Sequence, residues 1–461
     1  MDTILRSSIE GSGPKYAALA KSIRMAVQRG ELGEGAKMPP VRELAYQVGV
    51  TPGTVARAYS LLTDEGILEA TVGRGTFVAP LRNGRSDPAV MVHETPAGHI
   101  DLASAGAPDV GQSDLFRRSL QEIVDGPDLD VLRYTDRDHD IAARRVMQSW
   151  IAERDVGPLD LSDIVLVSGA QNGLLVVMQT LLGFGRRTML TEELAYAGFR
   201  HAAGLATCKV AAIQMDKDGV LPDALEAACR HVGPAVLCTS AEVHNPTTIR
   251  TTPERRQAVV DIARRYDLQI VDDCTFPAMP DHAPGYRVMA PERTWHLESL
   301  SKVVSPALRV GAIAAPEGWG GRALRTFQHQ CYGLPRLSVE LCRRLMETGR
   351  AATIQEKVRD VTNRRVEIAR EILGRFELAS REGVPFVWLT LPPGSRASSL
   401  KSAAAGLGIQ MRAADVFALT DGRAPNAVRL SLNGVADDAE LRMAFTRIRA
   451  LLDEPSNDMA I

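Results

Sequence analysis

From residue 100 onward, short apolar runs alternate with longer helical patterns, and this alternation constrains the fold more than any other feature. The runs at 164–168, 235–239, 268–271 and 309–314 are strand-sized and rich in branched side chains. Strands separated by helices need crossover connections, so the pattern predicts an α/β domain with a largely parallel sheet. A chain of 461 residues exceeds what one core organises, so two or three domains are expected. Between 81 and 99 the composition shifts to Arg, Asn, Gly, Ser, Asp, Pro and Glu, which reads as an extended linker. The expected parts are therefore 1–80, a linker at 81–99, and 100–461.

Hydrophobic content of 45% with 24% charged residues is ordinary for a globular protein. No apolar run approaches the roughly 20 residues a membrane helix needs, and the N-terminus lacks a signal-peptide pattern. A cytoplasmic location with no membrane contact is the expectation. The cysteines, Cys208, Cys229, Cys238, Cys274, Cys331 and Cys342, are scattered without a C-x-x-C pair. Neither a zinc site nor a disulfide framework is indicated; buried, reduced thiols are expected.

Residues 14–80 read as three helices and a hairpin. Tyr16, Leu19, Ile23 and Val27 have helical spacing over 14–29, and Gly30 to Gly35 breaks it. A short helix at 41–48 ends at Gly49; Thr51 is a natural N-cap for a third helix to about residue 65. Residues 67–78 alternate around Gly73-Arg74-Gly75, as a β-hairpin wing would. In a helix-turn-helix the second helix enters the DNA major groove by its first residues, here Thr51, Pro52, Gly53 and Thr54, with Arg57 a turn later. Arg42 is placed for a phosphate or a guanine, and Arg74 for the minor groove or backbone. Residues 1–80 hold 9 Lys+Arg against 8 Asp+Glu, so any DNA contact rests on placed residues rather than on a basic field.

A second constellation lies around Lys302. The segment Ser299-Leu300-Ser301-Lys302-Val303-Val304-Ser305-Pro306-Ala307-Leu308-Arg309 sets a hydroxyl three residues before an amine and a guanidinium seven after it. The amine can condense with an aldehyde while Ser299 and Arg309 hold a phosphate, and pyridoxal 5'-phosphate (PLP) carries both groups. Its ring nitrogen needs a buried carboxylate, for which Asp272 is the first choice and Asp273 the alternative. Asn245 can donate to the phenolic oxygen. The helix opening after Ser168-Gly169 offers the amides of Ala170 and Gln171 to the phosphate, and Tyr196 can stack on the ring.

Tyr16, Gly30, Leu32, Gly35, Pro39, Arg42, Leu44-Ala45, Gly49-Val50-Thr51, Thr54-Val55, Ala58-Tyr59, Leu62, Gly66 and Gly73 through Val78 resemble the winged helix of GntR-type bacterial repressors. Pro52-Gly53 stands where that family often has a polar residue, so base readout there is altered or weakened. The ordered series Tyr134, Ser168-Gly169-Ala170-Gln171, Tyr196, Asn245-Pro246, Asp272, Ser299/Lys302/Arg309 and Arg429-Leu430-Ser431 resembles fold-type I aminotransferases. That resemblance implies that Arg429 holds the α-carboxylate of an amino compound. It also implies that Tyr134 reaches the phosphate of a neighbouring subunit in a homodimer. Together the two parts resemble the MocR subfamily, whose members use PLP, alone or condensed with an amino compound, as effector. Three residues depart from the pattern: Cys274 replaces a tyrosine, His139 a glycine after Tyr134, and Thr248 a glycine after Asn-Pro-Thr.

The expected fold is thus α/β, an N-terminal winged helix-turn-helix followed by a large fold-type I PLP-dependent transferase domain. The expected function is a PLP-dependent regulator binding operator DNA and an amino-compound effector, with Lys302 as the reactive residue. The alternatives are a working aminotransferase with an accessory winged helix, and a repressor whose larger domain only dimerises.

Overall fold

In the computed structural model, residues 15–28, 32–33, 35–64, 67–71, 75–78, 95–96, 98–126, 134, 140–276, 283–419 and 424–453 are described. The chain divides into two compact units, Met1–His93 and Glu94–Ile461. Of the expected linker, only residues 95, 96, 98 and 99 fall within the described set.

In the smaller unit, helix α1 (Lys15–Gln28) buries Leu19 and Ile23, while Tyr16 and Val27 pack at the margin of the same core. Helix α2 (Val41–Val48) stops where Gly49 turns left-handed at φ 69° and donates its N–H to the Ala45 carbonyl, the conformation glycine adopts at least cost. Helix α3 (Pro52–Asp64) starts as its sequence predicts: Thr51 Oγ1 accepts the Thr54 N–H at 3.3 Å, and Pro52 fills the first helical position. Strands β1 (Leu68–Thr71) and β2 (Gly75–Val78) form an antiparallel hairpin. The β2 strand is tied back to the α1–α2 connection, with Met38 donating to Thr76 and Val78 to Ala36, both at 2.8 Å. Leu44, Val55, Leu62, Leu68 and Val78 close the core, so helices and hairpin form one winged unit.

The larger unit is built on seven strands: β3 (Ile164–Val167), β4 (Thr188–Glu192), β5 (Lys209–Ile213), β6 (Val236–Thr239), β7 (Gln269–Asp273), β8 (Thr294–Ser299) and β9 (Gly311–Ala314). Their order is β3-β9-β8-β7-β6-β4-β5. Only β9 runs antiparallel to its neighbours. Every residue of β3, β6, β8 and β9 is buried, so both faces of these strands are covered, and this explains why the apolar runs are continuous rather than alternating. Helix α4 (Gly169–Leu182) follows β3 directly.

After the 24-residue helix α5 (Arg350–Leu373) comes a second, antiparallel sheet. It comprises β10 (Glu377–Ala379), β11 (Phe386–Thr390), β12 (Arg412–Ala413) and β13 (Ala427–Ser431), in the order β10-β11-β13-β12. Val366, Ile372, Val387, Leu430, Phe445 and Ile448 share its core. The first residues of the larger unit join this region: Ile100–Asp101 pairs parallel with Ile409–Gln410, and Ser431 donates its N–H to the Leu102 carbonyl at 2.8 Å.

Among the described residues no helix is long and apolar enough to cross a membrane, and no cluster of His, Cys, Asp or Glu is arranged to hold a metal ion. All six cysteines are free. Cys208, Cys229, Cys238 and Cys342 are buried as expected, whereas Cys331 is exposed because it ends an amphipathic helix (Gly320–Cys331) on its solvent side.

Candidate functional site

Strands β3, β6, β7 and β8 all end toward the same edge, where parallel sheets place ligands. Their ends carry Ser168-Gly169, the loop leading to Asn245, Asp272-Asp273, and Ser299 with Lys302. Arg309, at φ 52°, folds back across this edge and donates Nη2 to the Ser168 carbonyl at 2.8 Å. Gly169, at φ 77°, is what permits this: a Cβ there would lie 3.1 Å from Arg309 Nη2. Arg309 therefore sits over the start of α4, where the first-turn amides, those of Ala170 and Gln171 among them, have no acceptors within the helix. A guanidinium above free amides at a helix start is an anion cradle. Ser299 is buried beside it, with its Oγ accepting the Ser301 N–H at 3.2 Å.

Lys302 is half-buried, and its amine lies in the field of two arginines. Burial, then Arg429, push its pKa down to about 8; Asp273 pulls the other way, and Arg309 adds to the depression. Tyr196 lies in the same electrostatic neighbourhood, its phenol pushed up by burial and by Asp273, against the pull of Arg429 and Arg309. Arg429 donates Nη1 to Asn245 Oδ1 at 2.9 Å and Nη2 to the Ala103 carbonyl. Its guanidinium carbon lies 5.3 Å from the Phe386 ring centre and 5.0 Å from that of Phe417. Gln171 donates to the Gly198 carbonyl at 3.0 Å, but its buried Oε1 has no partner, and neither has buried Arg429 Nε. The pocket thus brings together Lys302, Arg309, Tyr196, Asn245, Arg429 and the Asp273 carboxylate, and keeps buried polar capacity for a ligand. An amine, an anion cradle, an aromatic face and a carboxylate are what PLP requires, and these residues fit it.

The two candidate carboxylates face differently, because adjacent residues of a strand alternate. Asp272 is the Cα partner of Thr239 and His296, and its Oδ1 accepts the Ala241 N–H at 3.3 Å. Asp273 is the carboxylate coupled to Lys302 and Tyr196. Burial raises its pKa, although Thr275 donates to it from both its hydroxyl and its N–H. Cys274 has its thiol pushed well above the ordinary range, by burial first and Asp272 second, so it remains a thiol. Behind these strand ends Arg154 bonds the buried Glu298 carboxylate, with Nη2 to Oε1 at 3.0 Å, and donates to the Phe276 carbonyl at 2.8 Å. Sequence reading missed this pair because its members come from distant segments.

Other expected residues stand apart. Tyr134 is 77% exposed and stacks on Tyr332 with ring centres 5.5 Å apart; among the described residues it joins none of the pocket. His139 lies outside the described residues. Thr248 is buried at φ 64°, a left-handed conformation that strains a β-branched side chain, and is held by its N–H to His244 O at 2.8 Å. Asp101 and Arg412, unremarked in the sequence, act electrostatically on Arg429.

In the smaller unit, Arg42, Thr51, Gly53 and Arg57 are exposed and Thr54 is half-buried; Arg74 lies outside the described residues. Arg57 is stacked on Tyr16, with its guanidinium carbon 4.7 Å from the ring centre. Tyr46, one turn beyond Arg42 on α2, is 90% exposed and extends the surface those residues define.

Comparison with known proteins follows the same division. Residues 15–78 match the bacterial regulatory proteins of the gntR family. Residues 99–448 match aminotransferase class I and II. The chain belongs to the aminotransferase class I and II family. A class I and II domain behind a gntR-type module is the MocR arrangement. The chain is 27% identical over 444 residues to YdeF of Bacillus subtilis, an HTH-type transcriptional regulator, covering 96% of this chain and 95% of that one. It is also 27% identical over 316 residues, 65% of each chain, to the HTH-type pyridoxine biosynthesis transcriptional regulator PdxR of Corynebacterium glutamicum. The class I and II fold is seen in the α-aminoadipate aminotransferase LysN of Thermus thermophilus. That structure superimposes with TM-score 0.69 at 22% identity, over 80% of this chain and 96% of that one.

Proposed function

We propose that the protein is a DNA-binding transcriptional regulator whose larger unit takes up PLP and an amino compound at Lys302. The observation that carries this reading is a half-buried, easily deprotonated lysine beside an anion cradle, in a chain that also holds a gntR-type winged helix. The similarity to a regulator of pyridoxine biosynthesis supports it.

Bound in the pocket, PLP would supply an aldehyde for amines and a ring able to accept electrons. Lys302 would present its amine to that aldehyde, free of its proton at modestly alkaline pH. Arg309, Ser299 and the amides of Ala170 and Gln171 would hold the phosphate, and Tyr196 would cover the ring. Asn245, whose Oδ1 is turned to Arg429, would donate Nδ2–H to the phenolic oxygen. The ring nitrogen would face Asp272 or Asp273, the two carboxylates at the end of β7. Arg429 would hold the effector carboxylate. We further assign the operator contacts to Arg42, Thr51, Gly53, Thr54, Arg57 and Arg74, in a cytoplasmic homodimer with Tyr134 at the subunit boundary. An effector shifts such a regulator only by binding its two arrangements unequally.

The test is operator affinity. DNA selected from a random pool by the purified protein would be titrated with and without PLP, beside Lys302→Ala. The wild type should change its affinity with PLP and the variant should not. An equal response in both, or steady release of keto acid from amino acids, would overturn the reading.

A further inference from the structure

We infer that the pocket selects an amino acid carrying a second acidic group, and that Arg412 recognises that group. The inference deepens the proposed function and rests on Arg429 taking an α-carboxylate beside Lys302. Arg412 and Arg429 are Cα partners across the antiparallel β12–β13 pair, so both side chains leave the same face of the sheet. Like charges directly opposite one another destabilise a sheet, and a rule broken at one place in an otherwise consistent fold points to function.

The two arginines differ in what they already hold. Arg429 is bonded to Asn245 and Ala103 and lies against two aromatic rings. The side chain of half-buried Arg412 makes no hydrogen bond or ion pair among the described residues, leaving all five of its donors unused. Burial lowers its pKa, with Asp101 opposing; burial and then Arg412 push that of Arg429 down to about 9. Asp101 acts on both arginines without forming an ion pair with either. Its Oδ1 is occupied by the Ala103 and Ser104 amides at 2.7 and 2.9 Å. Lys302 and Arg309, the next charged groups in the pocket, add positive charge, and Asp273 is coupled to Lys302.

A single carboxylate satisfies one guanidinium through two parallel bonds and leaves its neighbour unpaired. A partly desolvated arginine without a partner is costly, and a second anion removes that cost. Cross-strand partners have Cβ atoms about 4.5–5.5 Å apart, so the two acidic groups must be joined by a short carbon chain. α-Amino dicarboxylates fit this requirement, as do their sulfonate counterparts.

The test uses the full chain loaded with PLP and titrated with L-glutamate, L-aspartate, L-glutamine and L-asparagine. The visible absorption change gives the midpoints and operator affinity gives an independent readout. Each acid differs from its amide by the charge Arg412 would read, so the acids should bind roughly tenfold or more tightly. In Arg412→Ala that ratio should fall to about one, while Arg412→Lys, which keeps the charge, should retain part of it. Equal midpoints for acid and amide in the wild type would overturn the inference and leave the proposed function standing. No response to any of the four would also overturn the inference, whereas the proposed function fails if wild type and Lys302→Ala respond equally to PLP.

Discussion

Lys302 carries an unfavourable charge in the folded chain. Its pKa falls from 10.5 to about 8 because burial and two arginines outweigh Asp273. Between those values the unfolded chain binds more protons than the folded one, so this residue adds stability as pH rises from about 8 toward 10.5. Below about 8 the penalty is fully present. The free amine is also the form that reacts with an aldehyde. PLP uptake, followed by visible absorption, should therefore strengthen between pH 7 and 9 and then level off. A pH-independent midpoint would mean that Lys302 is not the attacking amine. The same arithmetic makes Cys274 inert, since its thiol is pushed up rather than down.

Among the elements, the spacing of Ser299, Lys302 and Arg309 was legible because one strand end and one turn carry all three. The capping of α3 by Thr51 was legible for the same local reason. Alternation along β7 showed that Asp272 and Asp273 face opposite ways, but not which faces the pocket, because that depends on neighbouring strands. Asp101 and Arg412 were invisible because each owes its place to a two-residue strand whose partner no periodicity announces. The Arg154–Glu298 pair is of this kind, joining β8 to a segment 144 residues earlier. Glu298→Gln keeps the shape but leaves a buried guanidinium without its carboxylate, at a cost of roughly 3–5 kcal/mol. Urea unfolding should show a lower midpoint at an unchanged slope; an unmoved midpoint would mean the pair contributes no stability.

For the whole molecule, a net charge of −2 means that DNA attraction must come from local placement. Arg42→Ala should weaken operator binding similarly across sequences and reduce the salt slope by about 1, if Arg42 meets a phosphate. The visible spectrum with PLP should be unaffected, because the substitution lies in the other compact unit. A normal slope with normal affinity would remove Arg42 from the interface. The pairing of Ile100–Asp101 with Ile409–Gln410 has a mechanical consequence. Just beyond it, the Ala103 carbonyl occupies Arg429 Nη2, which under the proposed function an incoming carboxylate would claim. That carbonyl is a placeholder supplied by the chain itself. Seating a carboxylate means evicting the placeholder, so the first stretch of polypeptide to feel an occupied pocket is the one through which the larger unit is tethered to everything before it.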